Sequence, residues 1–117
     1  MAKVEKVGMV MHPVEDLDRA LALYEGVLGL TIKFRDGDRF CALDGGGVTI
    51  ALGAGDEGKA TKGRVAVAYK VDDVEAVAAM LQKAGAELVH GPALGPGEVH
   101  AAFSDLDGNV FSIYSPR

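Results

Sequence analysis

The chain has 117 residues, of which 49% are hydrophobic and 25% charged, enough to bury a core without disulfide or metal staples. A net charge of -5 argues against a nucleic-acid backbone as partner, and no segment approaches the ~20 apolar residues that span a bilayer. One cysteine, Cys41, excludes an intramolecular disulfide, and the opening MAKVEKVG lacks the apolar run of a signal peptide, so a cytoplasmic protein is expected.

In chain order, Val7 to Val14 is rich in β-branched and apolar residues and reads as a strand closing at Pro13. From Asp16 to Leu28 the residues Leu17, Ala20, Leu21, Leu23, Tyr24, Val27 and Leu28 recur at helical spacing, with Asp16 as N-cap or first-turn acid and Gly29 as stop. LTIKFR, RFCALD and VTIAL then form three short strands joined by turns at DGD and GGG. The order repeats: RVAVAYKV is a strand, VDDVEAVAAMLQKAG a helix ending at Gly85, and AELVH, EVHAAFSD and NVFSIYS are strands. Asp73 holds the place of Asp16. The expected fold is α+β: one domain over 1–117, built from two βαβββ modules at 1–55 and 63–117 with a polar linker at 56–62. Such a pair implies curved mixed sheets around a cup, with the helices outside.

Four local features invite chemical readings. His12, followed by Glu15 and Asp16, offers imidazole and carboxylate donors suited to zinc, nickel, iron or manganese. GAGDEGKAT, Gly53 to Thr61, nearly fits the phosphate loop, but Ala60 breaks it and a strand pattern follows instead of a helix, so it reads as surface linker. DLDGN, Asp105 to Asn109, has its glycine too early for a calcium loop and reads as a tight turn. Cys41, in an apolar strand without a nearby histidine, reads as a small buried hydrophobe.

PVEDLDRALALYEGVLGL and the later DLDGNVFSIYSP, with the duplicated βαβββ order, resemble the glyoxalase, bleomycin-resistance protein and extradiol dioxygenase superfamily, the vicinal oxygen chelate proteins. The resemblance covers nearly the whole chain. It implies four metal-ligand positions on the inner sheet face, two per half. The first is a histidine seven residues before the helix-opening aspartate, which here is Met9; the matching position before Asp73 is Ala66. The glutamates expected in the last strand of the first half and after DGN correspond to Ala51 and Ser112. Methionine, alanine and serine do not replace imidazole and carboxylate around a divalent ion, so neither metal nor other cofactor is expected. His12 lies three residues beyond Met9, an odd interval that turns it to the opposite face, toward the helix.

The residues expected to face the cup point to binding. Met9, Met11, Phe40 and Tyr114 offer contact area, Ala51 and Ala66 leave volume, and His100 and Ser112 offer hydrogen bonds. His90, before Gly91 and Pro92, reads as a loop residue. The resemblance thus implies a metal-free protein that binds a small apolar or aromatic molecule, with antibiotic sequestration and resistance within its range, and that pairs as a homodimer. The rival is a lyase, isomerase or dioxygenase of the superfamily with unorthodox catalytic residues, such as His100 acting with Tyr114. The residues leave open whether the chain is an enzyme.

Overall fold

The computed structural model describes residues 2–117. Its strands are β1 (Val4–Val14), β2 (Thr31–Asp36), β3 (Phe40–Asp44), β4 (Thr49–Ala54), β5 (Ala66–Val71), β6 (Glu87–Leu94), β7 (Glu98–Ser104) and β8 (Val110–Pro116). The helices are α1 (Leu17–Leu21), α2 (Asp56–Lys59) and α3 (Val74–Lys83), and a π-helical stretch, Ala22–Val27, continues α1. The order is βαβββ twice, with α2 added between the repeats. The chain divides into an N-terminal unit, 9–65, and a C-terminal unit, 2–8 with 66–117 among the described residues, so β1 contributes to both.

In the N-terminal unit the strand order is β2-β3-β4-β1, with β1 parallel to β4 and the other pairs antiparallel. Cys41, Leu43 and Leu52 point to one side and are fully buried beneath Leu17 and Leu21 of α1. The helix starts where Asp16 accepts a hydrogen bond from the Arg19 N–H at 3.1 Å, satisfying one of the donors that every helix start leaves free. The regular helix expected through Leu28 lasts only to Leu21. From there it widens into a π-helix, in which the Leu28 N–H bonds the Leu23 carbonyl at 2.9 Å. Gly26, a weak helix former, sits in the widened turn.

In the C-terminal unit β5, β8, β7 and β6 follow one another. Phe103, Ile113 and Ala101 are buried under Val74, Val77 and Ala78 of α3, and Asp73 caps that helix through the Ala76 N–H at 3.0 Å. Strand β6 runs to Leu94 instead of stopping at His90. Gly91 and Pro92 read as breakers, but β6 is an edge strand, where a missing donor is tolerated and the register can shift. Only glycine fits at 91: its φ is +81° and a Cβ there would lie 2.7 Å from the His100 carbonyl oxygen.

The segment 56–62, expected as linker, holds the single turn of α2 and packs inward: Gly58 and Thr61 are buried, and a Cβ on Gly58 would meet Pro13 at 2.9 Å. Lys59 pairs with Asp56 at 3.3 Å, so its charge is engaged locally. In the DLDGN turn the Asp105 carboxylate accepts the Asp107 and Asn109 N–H groups, both at 2.9 Å, and these bonds hold its pKa below the usual value. The turn is closed by its own side chain.

Phe103→Ala removes a fully buried ring beneath α3. It is expected to cost about 3–5 kcal/mol, read as the shift in a urea-unfolding midpoint, whereas Leu106→Ala, at a side chain 79% exposed, should change stability by less than about 0.5 kcal/mol.

Candidate functional site

In a paired sheet, residues directly opposite share a face, so the registers assign every side chain. In the N-terminal unit the face away from α1 carries three rows: Met9, Thr49, Asp44 and Thr31; Met11, Ala51, Ala42 and Phe34; and Pro13, Gly53, Phe40 and Asp36. Met9, Met11, Phe40 and Ala51, all expected at the site, therefore share one surface. His12, opposite Leu52, lies on the helix side, where its ring meets Tyr24 edge-on at 5.7 Å and its Nδ1 is buried without a partner. Cys41 lies on that side too, and burial raises its thiol pKa, consistent with an unreactive core residue.

Two residues of this face were not expected. The register of β2 shifts between Ile32 and Phe34, so Ile32 packs under α1 while Phe34 opposes Ala42 on the other face. Phe34 is 58% exposed, and its ring lies 6.4 Å from that of Phe40. Lys33, the residue at the shift, donates from Nζ to Thr49 Oγ1 at 2.9 Å and so reaches over the same face. Strict alternation along TIKFRD places Lys33 and Phe34 on opposite sides; only the bulge brings them together.

In the C-terminal unit the face away from α3 carries Ala68, Ser112, Ala102 and His90 in one row and Lys70, Tyr114 and His100 in the next. Ala66 begins β5 on the same side. His100, Ser112, Tyr114 and Ala66 thus share a face, as expected. His90 does not lie in a loop: the longer β6 brings its ring parallel to that of His100, with centroids 5.3 Å apart and planes 9° apart. Glu98 Oε2 lies 3.1 Å from His100 Nδ1. With the proton on Nδ1, the imidazole donates to the carboxylate and Nε2 is left as acceptor.

Tyr114 is directed elsewhere. Its hydroxyl lies against Gly8 of β1, where a Cβ would overlap it, and β1 lies on the far side of β5 from β8, away from His100 on β7. His100 and Tyr114 therefore share a face without forming an acid–base pair. Burial first, and the nearby Glu5 second, raise the Tyr114 pKa. Glu5 also approaches Lys70 Nζ at 3.7 Å.

A groove of about 460 Å³ on the N-terminal unit is lined by Glu15, Asp36, Asp38, Asp56 and Glu57 with Arg39. A second, of about 370 Å³, runs along Arg19, Leu23 and Tyr24. Neither includes a residue expected from sequence to bind ligand.

The family model for the Glyoxalase/Bleomycin resistance protein/Dioxygenase superfamily matches residues 6–113, and the chain belongs to that superfamily. An uncharacterized protein of Mycolicibacterium smegmatis is 40% identical over 111 residues, covering 95% of this chain and 94% of that one. In structure the chain is similar to methylmalonyl-CoA epimerase from Mycobacterium tuberculosis, with TM-score 0.75, 22% identity and coverage of 97% and 89%. It is also similar to the Mn(II)-bound glyoxalase from Novosphingobium aromaticivorans, with TM-score 0.67, 24% identity, 98% of this chain and 40% of that chain. These likenesses establish the shared fold.

The divalent ion that this fold family implies does not suit the donors present. Met9 and Ala51 on one unit and Ala66 and Ser112 on the other supply no imidazole or carboxylate. Among the described residues no group of three His, Cys, Asp or Glu side chains is arranged to hold a metal.

Because folding raises the Tyr114 pKa, the unfolded chain loses that proton first as pH rises. Tyr114 is therefore expected to make stability fall with increasing pH from about pH 10 upward, and Tyr114→Phe should flatten that fall in urea-unfolding series. Gly8→Ala, which must push the phenol aside, should lower the tyrosinate transition followed by ultraviolet absorbance.

Proposed function

We propose that this chain is a small-molecule binding protein that works without a divalent metal, taking an apolar or aromatic ligand on the sheet face that carries Met9, Met11, Phe34 and Phe40. The observation that carries the reading is the exposed Phe34, its ring 6.4 Å from that of the half-buried Phe40, on the same side as two methionines. A monomeric surface has little reason to expose a large aromatic side chain that the register shift has turned away from the core. Methionine adapts to irregular ligands, and aromatic rings give area at low entropy cost. Sequestration of an antibiotic falls within this reading, as does a cytoplasmic homodimer with one site per chain.

An enzyme is the second reading, a lyase, isomerase or dioxygenase of the superfamily with unorthodox residues. It is favoured by the carboxylate-oriented imidazole of His100, an arrangement that suits a general base.

A thermal-shift screen against antibiotics and aromatic metabolites tests both. A ligand at 100 times its dissociation constant adds about 2.7 kcal/mol to a protein that binds it only when folded. A hit should be recovered unchanged, and Phe34→Ala should weaken it by about tenfold or more. Conversion of the hit to product, abolished in His100→Ala, would establish the enzyme instead. Metal analysis of dialysed protein should find less than a stoichiometric divalent ion, and light scattering should give twice 12.2 kDa.

A further inference from the structure

Lys33 is placed unlike the other charged residues of its face. Asp36 accepts two hydrogen bonds from Arg39, at 3.0 and 2.8 Å, and Asp44 accepts the Gly46 N–H at 2.8 Å. Lys33 is held by an uncharged partner, the Thr49 hydroxyl, and takes part in none of the ion pairs among the described residues. In a chain of net charge -5, an ammonium fixed by a hydroxyl and outside these ion pairs, with the Asp44 carboxylate opposite Thr49 engaged by the Gly46 N–H, keeps its attraction for an external anion.

Its position defines that anion. Thr49 stands in the row of Met9, Phe34 stands in the next row, and Phe40 in the row beyond. Adjacent rows on one face are roughly 7 Å apart along the strands. Ala42, half-buried in the Phe34 row, adds only a methyl group between the ammonium and the rings, while Ala51 beside it is fully covered. A molecule whose ring lies on Phe34 and Phe40 thus reaches Lys33 with a charged group attached at or near that ring. A single ammonium without converging backbone donors matches a monoanion better than a phosphate.

We propose that the ligand of this face is an aromatic carboxylate, its ring on Phe34 and Phe40 and its carboxylate on Lys33 Nζ, with Thr49 as the residue that positions the lysine. This rests on the binding function proposed above and adds the ligand's charge. The bulge in β2 is then a specificity device. It sets a cation beside an aromatic where regular alternation separates them.

The test uses 2-naphthoate and 2-naphthamide, which share ring and shape and differ in charge, measured by calorimetric titration against the full chain. The carboxylate should bind about tenfold more tightly than the amide, since a hydrogen bond between two charged groups is stronger than one to a neutral amide. Lys33→Met should bring the carboxylate to the level of the amide and leave the amide unchanged. Lys33→Arg should keep most of the preference, Thr49→Val should lose part of it, and raised salt should narrow it. Lys33 is exposed, so unfolding midpoints of these variants should match the parent.

Equal affinity for both probes, or loss of both in Lys33→Met, overturns the aromatic carboxylate while leaving the binding function intact. Binding of neither probe also overturns it, and the wider thermal-shift screen then decides the binding function separately.

Discussion

In each unit a helix sits on one side of a sheet, and strands alternate with a period of two, so the residues that meet the helix determine what the opposite face presents. Cys41, Leu43 and Leu52 beneath α1, and Ala101, Phe103 and Ile113 beneath α3, are buried almost completely. Slipping β7 by one residue would drive His100 and Ala102 into the α3 core and expose Phe103. Burying an unpaired polar ring while exposing an apolar one is costly on both counts, so the register is fixed by apolar burial. The polar and aromatic face is positioned by residues that never touch it.

This dependence explains what the sequence disclosed. The repeated order of strand, helix and three strands was legible because hydrophobic period changes from two to 3.6 and back, and Asp16 and Asp73 mark both helix starts. The same parity turned His12 toward the helix and grouped Met9, Met11, Phe40 and Ala51. Misreadings arose where backbone geometry departs from its ideal period. The π-helix shortened the predicted α-helix, and strand β6 continued through Gly91 and Pro92, moving His90 from an expected loop to a stack on His100. The β2 bulge hid Phe34 and Lys33. A register shift leaves no composition signature in six residues that otherwise alternate, although Phe in an exposed edge strand is a signal that sequence reading could have weighed.

Gly8 shows a different kind of concealment. In the sequence it is one glycine within an apolar strand, where it weakens a strand prediction. In the structure it leaves the space that the Tyr114 phenol occupies, so the roles of residues 106 positions apart are joined. Glycine contributes here by lacking a side chain, and its purpose is visible only when the partner is placed.

The two faces also differ in how their charges are balanced. On the C-terminal unit, Glu98 lies against the His100 imidazole and Glu5 against Lys70, so both groups meet a carboxylate supplied by the chain. An added anion there would have to displace a tethered carboxylate, which loses little entropy on returning. On the N-terminal unit the carboxylates of Asp36 and Asp44 are engaged by Arg39 and the Gly46 N–H, while Lys33 rests on a hydroxyl. An incoming carboxylate there gains a charge-assisted bond at the expense of a neutral one. Met9 and Ala51 give this face neither imidazole nor carboxylate for a divalent ion, so under the binding proposed above the shifted Lys33 is the group that would meet an anion there.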